Sequence, residues 1–392
     1  MDPLPLLQDL VAIPSVNPMG RDLSGPEFLE GRVSDYLEKF FRSLGAEYQR
    51  IETAPGRANV IARCDAPGAK TTVLLDAHQD TVPTDGMCDP FNPVVRDGKL
   101  FGRGSCDVKG GLAAMLAAFA RLVRERPAGA ANVLLSCTCD EESTSLGVND
   151  LAKLWTDPDR AGSIIDRKPD IAIIAEPTQL DVVVAHRGAT RWKIRTSGRA
   201  CHSSVPQDGV NAIYRMGRVV CLLEEFASIL PSRVTPHPLC GPATLSVGRI
   251  TGGMSVNTVP DSCEVEIDRR VIPGEDGWDA VHQVRDFLAS RLDFEVEHST
   301  PWLVGISLSD NDNGPLADQL IKHIAMVAGP HRKVGVAYGT HASRISSAGV
   351  PSVVFGPGDI AQAHTLNEWI DIEQLRQAAA VYYRFCAANA AV

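Results

Sequence analysis

The sequence is short of the features that mark secreted, membrane-embedded or nucleic-acid-binding proteins. Its first residues, MDPLPLLQDL, carry acids and prolines where a signal peptide has a basic start and an apolar core. No apolar run approaches the roughly 20 residues that a transmembrane helix needs. Positive charge is in deficit, with a formal net charge of −10, whereas nucleic acids and anionic membranes attract basic surfaces. We therefore expect neither a nucleic acid nor a membrane as a partner.

Paired cysteine motifs are also lacking. The ten cysteines are scattered through strand-like and helix-like segments, and none of them forms a CxxC pair. Without a secretory signal, this distribution favours reduced, mostly buried thiols in a cytoplasmic protein over a disulfide framework.

The length and the order of apolar segments predict two domains. At 392 residues the chain is long for one hydrophobic core. Short, continuously apolar strand-like segments alternate with helix-like ones, which is typical of an α/β domain with a mainly parallel sheet flanked by helices. Between 187 and 301 the order changes to βαββαβ, the pattern of a ferredoxin-like domain. We predict a discontinuous domain of residues 1–186 and 302–392, with residues 187–301 inserted into it.

Seven ionisable residues lie just after predicted strands or in a glycine-rich loop that leads into a helix: His78, Asp80, Asp107, Glu141, Glu142, Glu176 and His364. In an open parallel sheet, ligands bind at the edge where the carboxyl ends of the strands meet. We therefore expect these side chains to lie close together. The carboxylate of Asp107, in the glycine-rich loop, is also favoured by the positive end of the following helix.

Each of these residues has a simpler explanation when it is taken alone. Asp107 could cap a helix, the two adjacent glutamates could be solvated charges, and either histidine could be an ordinary loop residue. Asp80 could be a turn residue. Together, however, the carboxylates would repel one another unless cations neutralised them. The nitrogen and oxygen ligand set favours zinc, with cobalt or manganese possible, and the set is large enough for two ions if one carboxylate bridges.

The same stretches resemble the metal-site motifs of a known family, the co-catalytic di-zinc deacylases and peptidases. That family includes acetylornithine deacetylase, succinyl-diaminopimelate desuccinylase, aminoacylase-1 and glutamate carboxypeptidases. The resemblance is carried, in chain order, by DAHQDTVP, GRGSCDVKGG, TCDEES, AEP and FGPGDIAQAHTLNEWI. It spans nearly the whole chain and includes the inserted domain, which in the family serves as a lid and for dimerisation.

The resemblance implies a ligand set for two zinc ions in each subunit. His78 and Glu176 would bind one zinc, and Glu142 and His364 would bind the other. Asp107 would bridge the two ions.

The resemblance also implies a general base. Glu141 would take a proton from a water shared by the two zincs, and the resulting hydroxide would attack the amide carbonyl. Glu141 would then return the proton to the leaving amine. Asp80 would orient His78 through its second ring nitrogen.

Four further residues are candidates for contacts with the substrate. By resemblance, His202 of the inserted domain reaches the active site, in many dimeric relatives from the neighbouring subunit, while Asn257 and Arg270 bind substrate. Arg344 could bind a substrate carboxylate with both arms of its guanidinium. A surface turn, a strand charge and a helix salt bridge remain alternatives for His202, Arg270 and Arg344. The resemblance further implies a homodimer formed through the inserted domain.

One residue departs from the family pattern, and others near the motifs have no proposed function. His341 stands where relatives usually carry aspartate or serine, and it could alter specificity or bind adventitious metal. Asp76, inside the predicted strand that ends at His78, has no assigned role. Cys106, Cys139 and Cys201 lie next to proposed site residues, and we expect them to be small buried neighbours, not nucleophiles.

The predicted function is removal of an acyl group from the α-nitrogen of an amino acid. The stretches FGPGDIAQAHTLNEWI and CHSSVPQDGVNAI most resemble the acetylornithine deacetylase branch of the family, and this resemblance implies an acetylornithine deacetylase-like activity. A succinyl-diaminopimelate desuccinylase-like deacylase, or a dipeptidase or carboxypeptidase, would use the same metal chemistry on a small N-acylated amino acid or dipeptide. A metal-binding protein without turnover belongs to a different class, and the presence of Glu141 argues against it.

Overall fold

The computed structural model of the chain describes residues 1–160 and 163–388. Its internal contacts divide the chain into two compact units. Unit 1 consists of Met1–Val184, Asp310–Val334 and Thr340–Val392. Unit 2 consists of Ala185–Ser309 and Gly335–Gly339.

The helices and strands follow one another closely along the chain. The helices are α1 (Pro3–Ala12), α2 (Gly31–Ser43), α3 (Lys109–Glu125), α4 (Leu146–Thr156), α5 (Ala212–Arg233), α6 (Gly277–Ala289), α7 (Gly314–Ala325), α8 (Ala342–Ser347) and α9 (Ile372–Ala387). The strands are β1 (Glu47–Ala54), β2 (Arg57–Cys64), β3 (Thr72–His78), β4 (Val94–Arg96), β5 (Lys99–Phe101), β6 (Asn132–Thr138), β7 (Ile171–Ile174), β8 (Val182–His186), β9 (Gly188–Ser197), β10 (Cys201–His202), β11 (Thr244–Gly252), β12 (Thr258–Val259), β13 (Ser262–Val271), β14 (Glu297–His298), β15 (Lys333–Val336), β16 (Ser352–Val354) and β17 (Trp369–Asp371).

An eight-stranded sheet has the order β1-β2-β6-β3-β7-β16-β8-β15. Its central strands β6, β3, β7 and β16 are parallel, whereas β1, β2 and β8 join it by antiparallel pairing. The parallel strands are short, continuously apolar and buried on both faces, as parallel strands covered by helices are. The predicted α/β class is confirmed, with antiparallel strands added at the edges.

The two faces of β3 have different surroundings. Val73, Leu75 and Ala77 point into a core that also contains the apolar side of α3, which is buried along most of its length. Because successive side chains of a strand alternate between faces, Asp76 and His78 share the opposite face. Burial of the core face therefore fixes the direction of the two polar side chains at the end of β3.

Unit 2 is built around a separate four-stranded sheet with the order β11-β13-β9-β14. Along the chain its elements run β9-α5-β11-β13-α6-β14, which is the predicted βαββαβ order. The helices bury their apolar faces on the sheet around Trp192, Phe226 and Phe287. Unit 2 therefore has a hydrophobic core of its own.

Two expectations drawn from composition can be compared with the structure. The ten cysteines are free thiols, and six of them are buried. In the described part of the chain no helix combines the length and the apolarity that crossing a bilayer requires.

Candidate active site

Unit 1 brings the predicted site residues together at the carboxyl edge of the sheet. His78 ends β3, and Glu142 and Glu176 follow β6 and β7. His78 Nε2 lies 3.2 Å from Asp107 Oδ1, while His364 Nε2 lies 3.3 Å from Asp107 Oδ2. His364 Nε2 is also 3.3 Å from Glu142 Oε2. Asp107 thus directs one carboxylate oxygen toward each of two histidines.

Three overlapping groups of potential metal ligands occur in this cluster. Within each group, one ligand atom from every residue lies within 4.8 Å of the others. The groups are His78, Asp107 and Glu176; His78, Glu141 and Glu142; and Asp107, Glu142 and His364. Since Asp107 belongs to the first and the third group, these two groups form neighbouring sites that share one carboxylate.

The protein supplies too little positive charge to balance the carboxylates of this cluster. Burial, together with the neighbouring Asp107 carboxylate, raises the pKa of Glu142 to about 8 and the pKa of Glu176 well above its usual range. Hydrogen bonds to Asp107 and Glu142 raise the pKa of His364 to about 10. Glu142 Oε1 is buried without a hydrogen-bond partner among the described residues. This crowded set of carboxylates and imidazoles fits a pair of divalent cations, which would supply the missing positive charge.

Asp80 faces His78 with both its main chain and its side chain. His78 Nδ1 lies 2.9 Å from the backbone carbonyl of Asp80 but 3.6 Å from its carboxylate. The carboxylate also accepts hydrogen bonds from the backbone N–H groups of Glu141, at 3.1 Å, and Glu142, at 3.2 Å. Burial opposes ionisation of Asp80, but His78 and the surrounding donors lower its pKa to about 2. Asp80 therefore links His78 to the backbone of the glutamate pair.

Glu141 lies beside the cluster, and burial and neighbouring charges shift its pKa in opposite directions. Burial is the largest of these and raises its pKa, and the carboxylates of Asp107 and Asp80 act in the same direction. The imidazoles of His78 and His341 oppose the rise. A carboxylate with a raised pKa next to a metal-binding cluster is suited to accept and return a proton.

Glu368 contacts the loop that carries Asp107, and sequence reasoning missed it. Its carboxylate accepts hydrogen bonds from the backbone N–H groups of Gly104, Cys106 and Asp107 at 2.9, 2.9 and 3.0 Å. Arg103 Nη1 donates to the same carboxylate at 2.6 Å. Glu368 thereby holds the glycine-rich loop that carries Asp107. It stands four residues after the last predicted ligand, within the stretch AHTLNEWI.

Sequence reasoning also missed a second group of residues, which hold Asp80 and Asp140 in place next to the Glu141–Glu142 pair. Asn17 Nδ2 donates to Asp80 Oδ2 at 2.8 Å and to Asp140 Oδ1 at 2.9 Å. Arg57 forms ion pairs with Asp140 and, at 3.2 Å, with Glu30. Burial, with the nearby Asp80 charge, raises the pKa of Glu30 to about 7. Asn17 and Glu30 come from the N-terminal segment, Arg57 from β2 and Asp140 from the loop after β6. Nothing in their sequence spacing indicated that they would meet.

The predicted substrate-binding residues of unit 2 fall into two places. His202 in β10 and Asn257 beside β12 are neighbours, because these strands pair and Ser203 N donates to Asn257 O at 3.0 Å. Both side chains are exposed. Arg270 lies at the end of β13, and its Nε donates to Asp268 Oδ1 at 2.6 Å. Contacts of these residues with a substrate stay predictions.

The remaining candidates are Arg344 and three cysteines. Arg344 is on α8, and burial lowers the pKa of its guanidinium. Burial raises the pKa of the Cys106 thiol well above its usual range and that of Cys139 to about 12. Cys201, in unit 2, is half-buried and donates to the Val205 carbonyl at 3.4 Å. High thiol pKa values at Cys106 and Cys139 disfavour the thiolate and agree with the view that they are structural neighbours.

Comparisons with known proteins cover nearly the whole chain. Residues 74–388 match the family described as Peptidase family M20/M25/M40. Acetylornithine deacetylase of Proteus mirabilis is 31% identical over 385 residues, which cover 94% of this chain and 91% of that protein. The M20 family metallo-carboxypeptidase Sso-CP2 of Sulfolobus solfataricus superposes with a TM-score of 0.78 at 18% identity, over 99% of both chains. The YXEP protein of Bacillus subtilis, described as a dinuclear metal binding peptidase from the M20 family, has a TM-score of 0.70 at 16% identity, over 98% of this chain and 96% of that one. The family resemblance drawn from the motifs is confirmed, and the two structures share the fold.

The Glu368 contacts generate a prediction for stability and metal binding. The substitution Glu368→Ala leaves Arg103 and the three loop N–H groups without their acceptor. Because a buried ion pair is broken, we expect the free energy of unfolding to fall by about 3–5 kcal/mol in denaturant titrations. Because the Asp107 loop is released, we expect zinc affinity to fall by about 10–100-fold in calorimetric titrations.

The control for Glu368→Ala is Glu373→Ala, which removes an exposed glutamate on α9. Unchanged zinc affinity in Glu368→Ala would show that the loop does not need this support.

Proposed function

The chain belongs to Peptidase family M20/M25/M40, and from this premise we propose that it is a zinc-dependent amide hydrolase that removes an acyl group from the α-nitrogen of an amino acid. The observation that carries the proposal is the position of Asp107, with one oxygen toward His78 and the other toward His364. A shared carboxylate between two histidines is the arrangement that two co-catalytic ions require. The identity to acetylornithine deacetylase of Proteus mirabilis favours a deacetylase among the hydrolases of the family.

The proposed ligands divide as the motifs imply. His78 and Glu176 would hold one ion, Glu142 and His364 the other, and Asp107 would contact both. The donors are nitrogen and oxygen atoms only, which zinc accepts and which cobalt or manganese also accept. Bound at these positions, two divalent ions would supply the positive charge that polarises the amide carbonyl and lowers the pKa of a water.

Glu141 would carry the proton during hydrolysis. Its carboxylate takes the proton from the attacking water and gives it to the nitrogen of the leaving amine. The backbone hydrogen bonds to Asp80 keep Glu141 next to the ligand Glu142 while its side chain remains free to face the substrate. His202 and Asn257 of unit 2 would contribute hydrogen bonds to the substrate, and Arg270 or Arg344 would bind its carboxylate.

Unit 2 is the proposed lid and dimerisation domain. Its edge strand β11 and the loop that follows expose Ile250, Met254 and Val256, with exposed fractions of 58%, 96% and 100%. Tyr214 of α5 is 77% exposed. An exposed strand edge with apolar side chains is a surface that pairs with another chain, and a second copy of this chain is the proposed partner. Cytoplasmic localisation remains a prediction.

The substrate class is the part of the proposal that needs a direct assay. N-acetyl-L-ornithine, N-succinyl-diaminopimelate and a set of dipeptides should be offered to the protein after reconstitution with zinc. We expect the highest kcat/KM with N-acetyl-L-ornithine, and complete loss of activity after EDTA treatment. Turnover of dipeptides alone would replace the deacylase with a dipeptidase or carboxypeptidase. No turnover of any substrate by the zinc-loaded protein would favour a metal-binding protein without catalysis.

The roles of the adjacent glutamates can be separated by substitution. We expect Glu141→Gln to keep both metal ions while kcat falls by about 10²–10⁴-fold, because the group that moves the proton is lost. We expect Glu142→Gln to lose metal, because a ligand carboxylate is lost. Metal content by mass spectrometry and kcat on the same samples check both expectations. If the two variants had equal metal content and equal kcat, the assignment of base and ligand would be wrong.

A further inference from the structure

Asp76 and His341 form a buried pair beside the metal-binding cluster. His341 Nδ1 lies 2.9 Å from Asp76 Oδ2, and the side chains are only 2% and 0% exposed. Asp76 precedes His78 by two residues on the same face of β3. His341 immediately precedes α8. The pair therefore connects the strand that carries a proposed ligand with a helix from a distant part of the chain.

The contacts of Asp76 determine which ring nitrogen of His341 carries the proton. The hydroxyl of Ser136 donates to Asp76 Oδ1, and Thr138 Oγ1 donates to the same oxygen at 3.2 Å. Asp76 Oδ2 lies 2.9 Å from His341 Nδ1, and a carboxylate oxygen accepts hydrogen bonds. His341 Nδ1 must therefore be the donor. In the neutral ring, Nε2 is then left with a lone pair and can act as an acceptor.

His341 Nε2 is buried and has no hydrogen-bond partner among the described residues. The centre of its ring lies 6.4 Å from that of His78. His341 thus lies beside the cluster. It is not part of the ligand groups found in the described chain. A buried polar atom without a partner is costly, so Nε2 is available to accept a hydrogen bond from a ligand.

We propose that the Asp76–His341 pair selects amide substrates, with His341 Nε2 accepting a hydrogen bond from the N–H of the scissile amide. The inference rests on the amide hydrolysis proposed above. Glu141 delivers its proton to the lone pair of the leaving nitrogen, so the N–H of that nitrogen must point toward a different acceptor. His341 Nε2 is a buried acceptor of this kind, on a ring whose centre lies 6.4 Å from that of the proposed ligand His78. Asp76 is a positioning residue that fixes the ring and its tautomer.

The pair should therefore discriminate between amides and esters. An ester has an oxygen where the amide has its N–H, and the lone pairs of this oxygen would face the lone pair of Nε2. A site built to bind a hydrogen-bond donor rejects an analogue without it. Removal of the acceptor should consequently harm amide hydrolysis much more than ester hydrolysis.

Two substitutions test the proposal in different ways. Asp76→Asn places an amide N–H opposite His341 Nδ1, which moves the ring proton to Nε2 and turns the acceptor into a donor. His341→Asn retains a side-chain N–H near the position of Nδ1, which can still bond to Asp76, but deletes Nε2. The substrates are N-acetyl-L-ornithine and its ester isostere 2-acetoxy-5-aminopentanoate, offered to the zinc-loaded full chain. The control is His323→Asn, a half-buried histidine on α7 that packs against Phe385.

We expect both variants to lose about tenfold or more in kcat/KM for the amide and less than about threefold for the ester, with unchanged zinc content. We expect nuclear magnetic resonance of ¹⁵N-labelled histidine to show Nε2 of His341 unprotonated in the original protein and protonated in Asp76→Asn. Equal losses for amide and ester, or no loss, would overturn the proposal and leave the pair a structural role. If the original protein hydrolysed neither substrate, the proposed function itself would fail, which is a distinct outcome.

Discussion

Mutual repulsion among buried carboxylates is the constraint on which the rest of the site depends. Asp107, Glu142 and Glu176 converge at one edge of the sheet, and burial makes their charges costly. The imidazoles of His78 and His364 offset part of this charge, and divalent metal ions would offset the remainder. A set of like charges would separate if it were loosely held. The surrounding structure therefore has to fix the backbone of the ligands by hydrogen bonds. Glu368 does so for the Asp107 loop, and Asp80 does so for the glutamate pair.

The supporting hydrogen bonds also explain why unrelated segments of the chain are brought together. Glu368 lies close to the C-terminal helix, Asn17 lies in the N-terminal segment, and Arg57 begins β2. Glu368 bonds to the backbone of Asp107, Asn17 bonds to Asp80, and Arg57 pairs with Asp140, two residues before Glu142. This arrangement couples the folding of unit 1 to the geometry of its site. The Asp76–His341 pair follows the same pattern, because its carboxylate is held by two hydroxyls of β6 while its imidazole faces the cluster.

Much of the fold and the identity of the cluster could be predicted from the sequence, because strand periodicity and strand ends are local features. The apolar run before His78 indicated a buried strand, and parallel strands bring their carboxyl ends to one edge. Residue spacing did not reveal that the carbonyl of Asp80 lies closer to His78 Nδ1 than its carboxylate does, and the orienting role of the Asp80 side chain stays a prediction. Glu368, Asn17 and Arg57 were missed because their contacts join loops that are distant in sequence. Asp76 received no role because its partner, His341, lies 265 positions away.

The central claim is that Asp107 is shared by two metal ions. Anomalous diffraction from crystals of the zinc-loaded protein, recorded on both sides of the zinc absorption edge, tests it most directly. The account predicts two peaks in unit 1, one near His78 and Glu176 and one near Glu142 and His364, with an Asp107 oxygen next to each. A single peak that Asp107 does not contact, or two peaks away from these side chains, would contradict it.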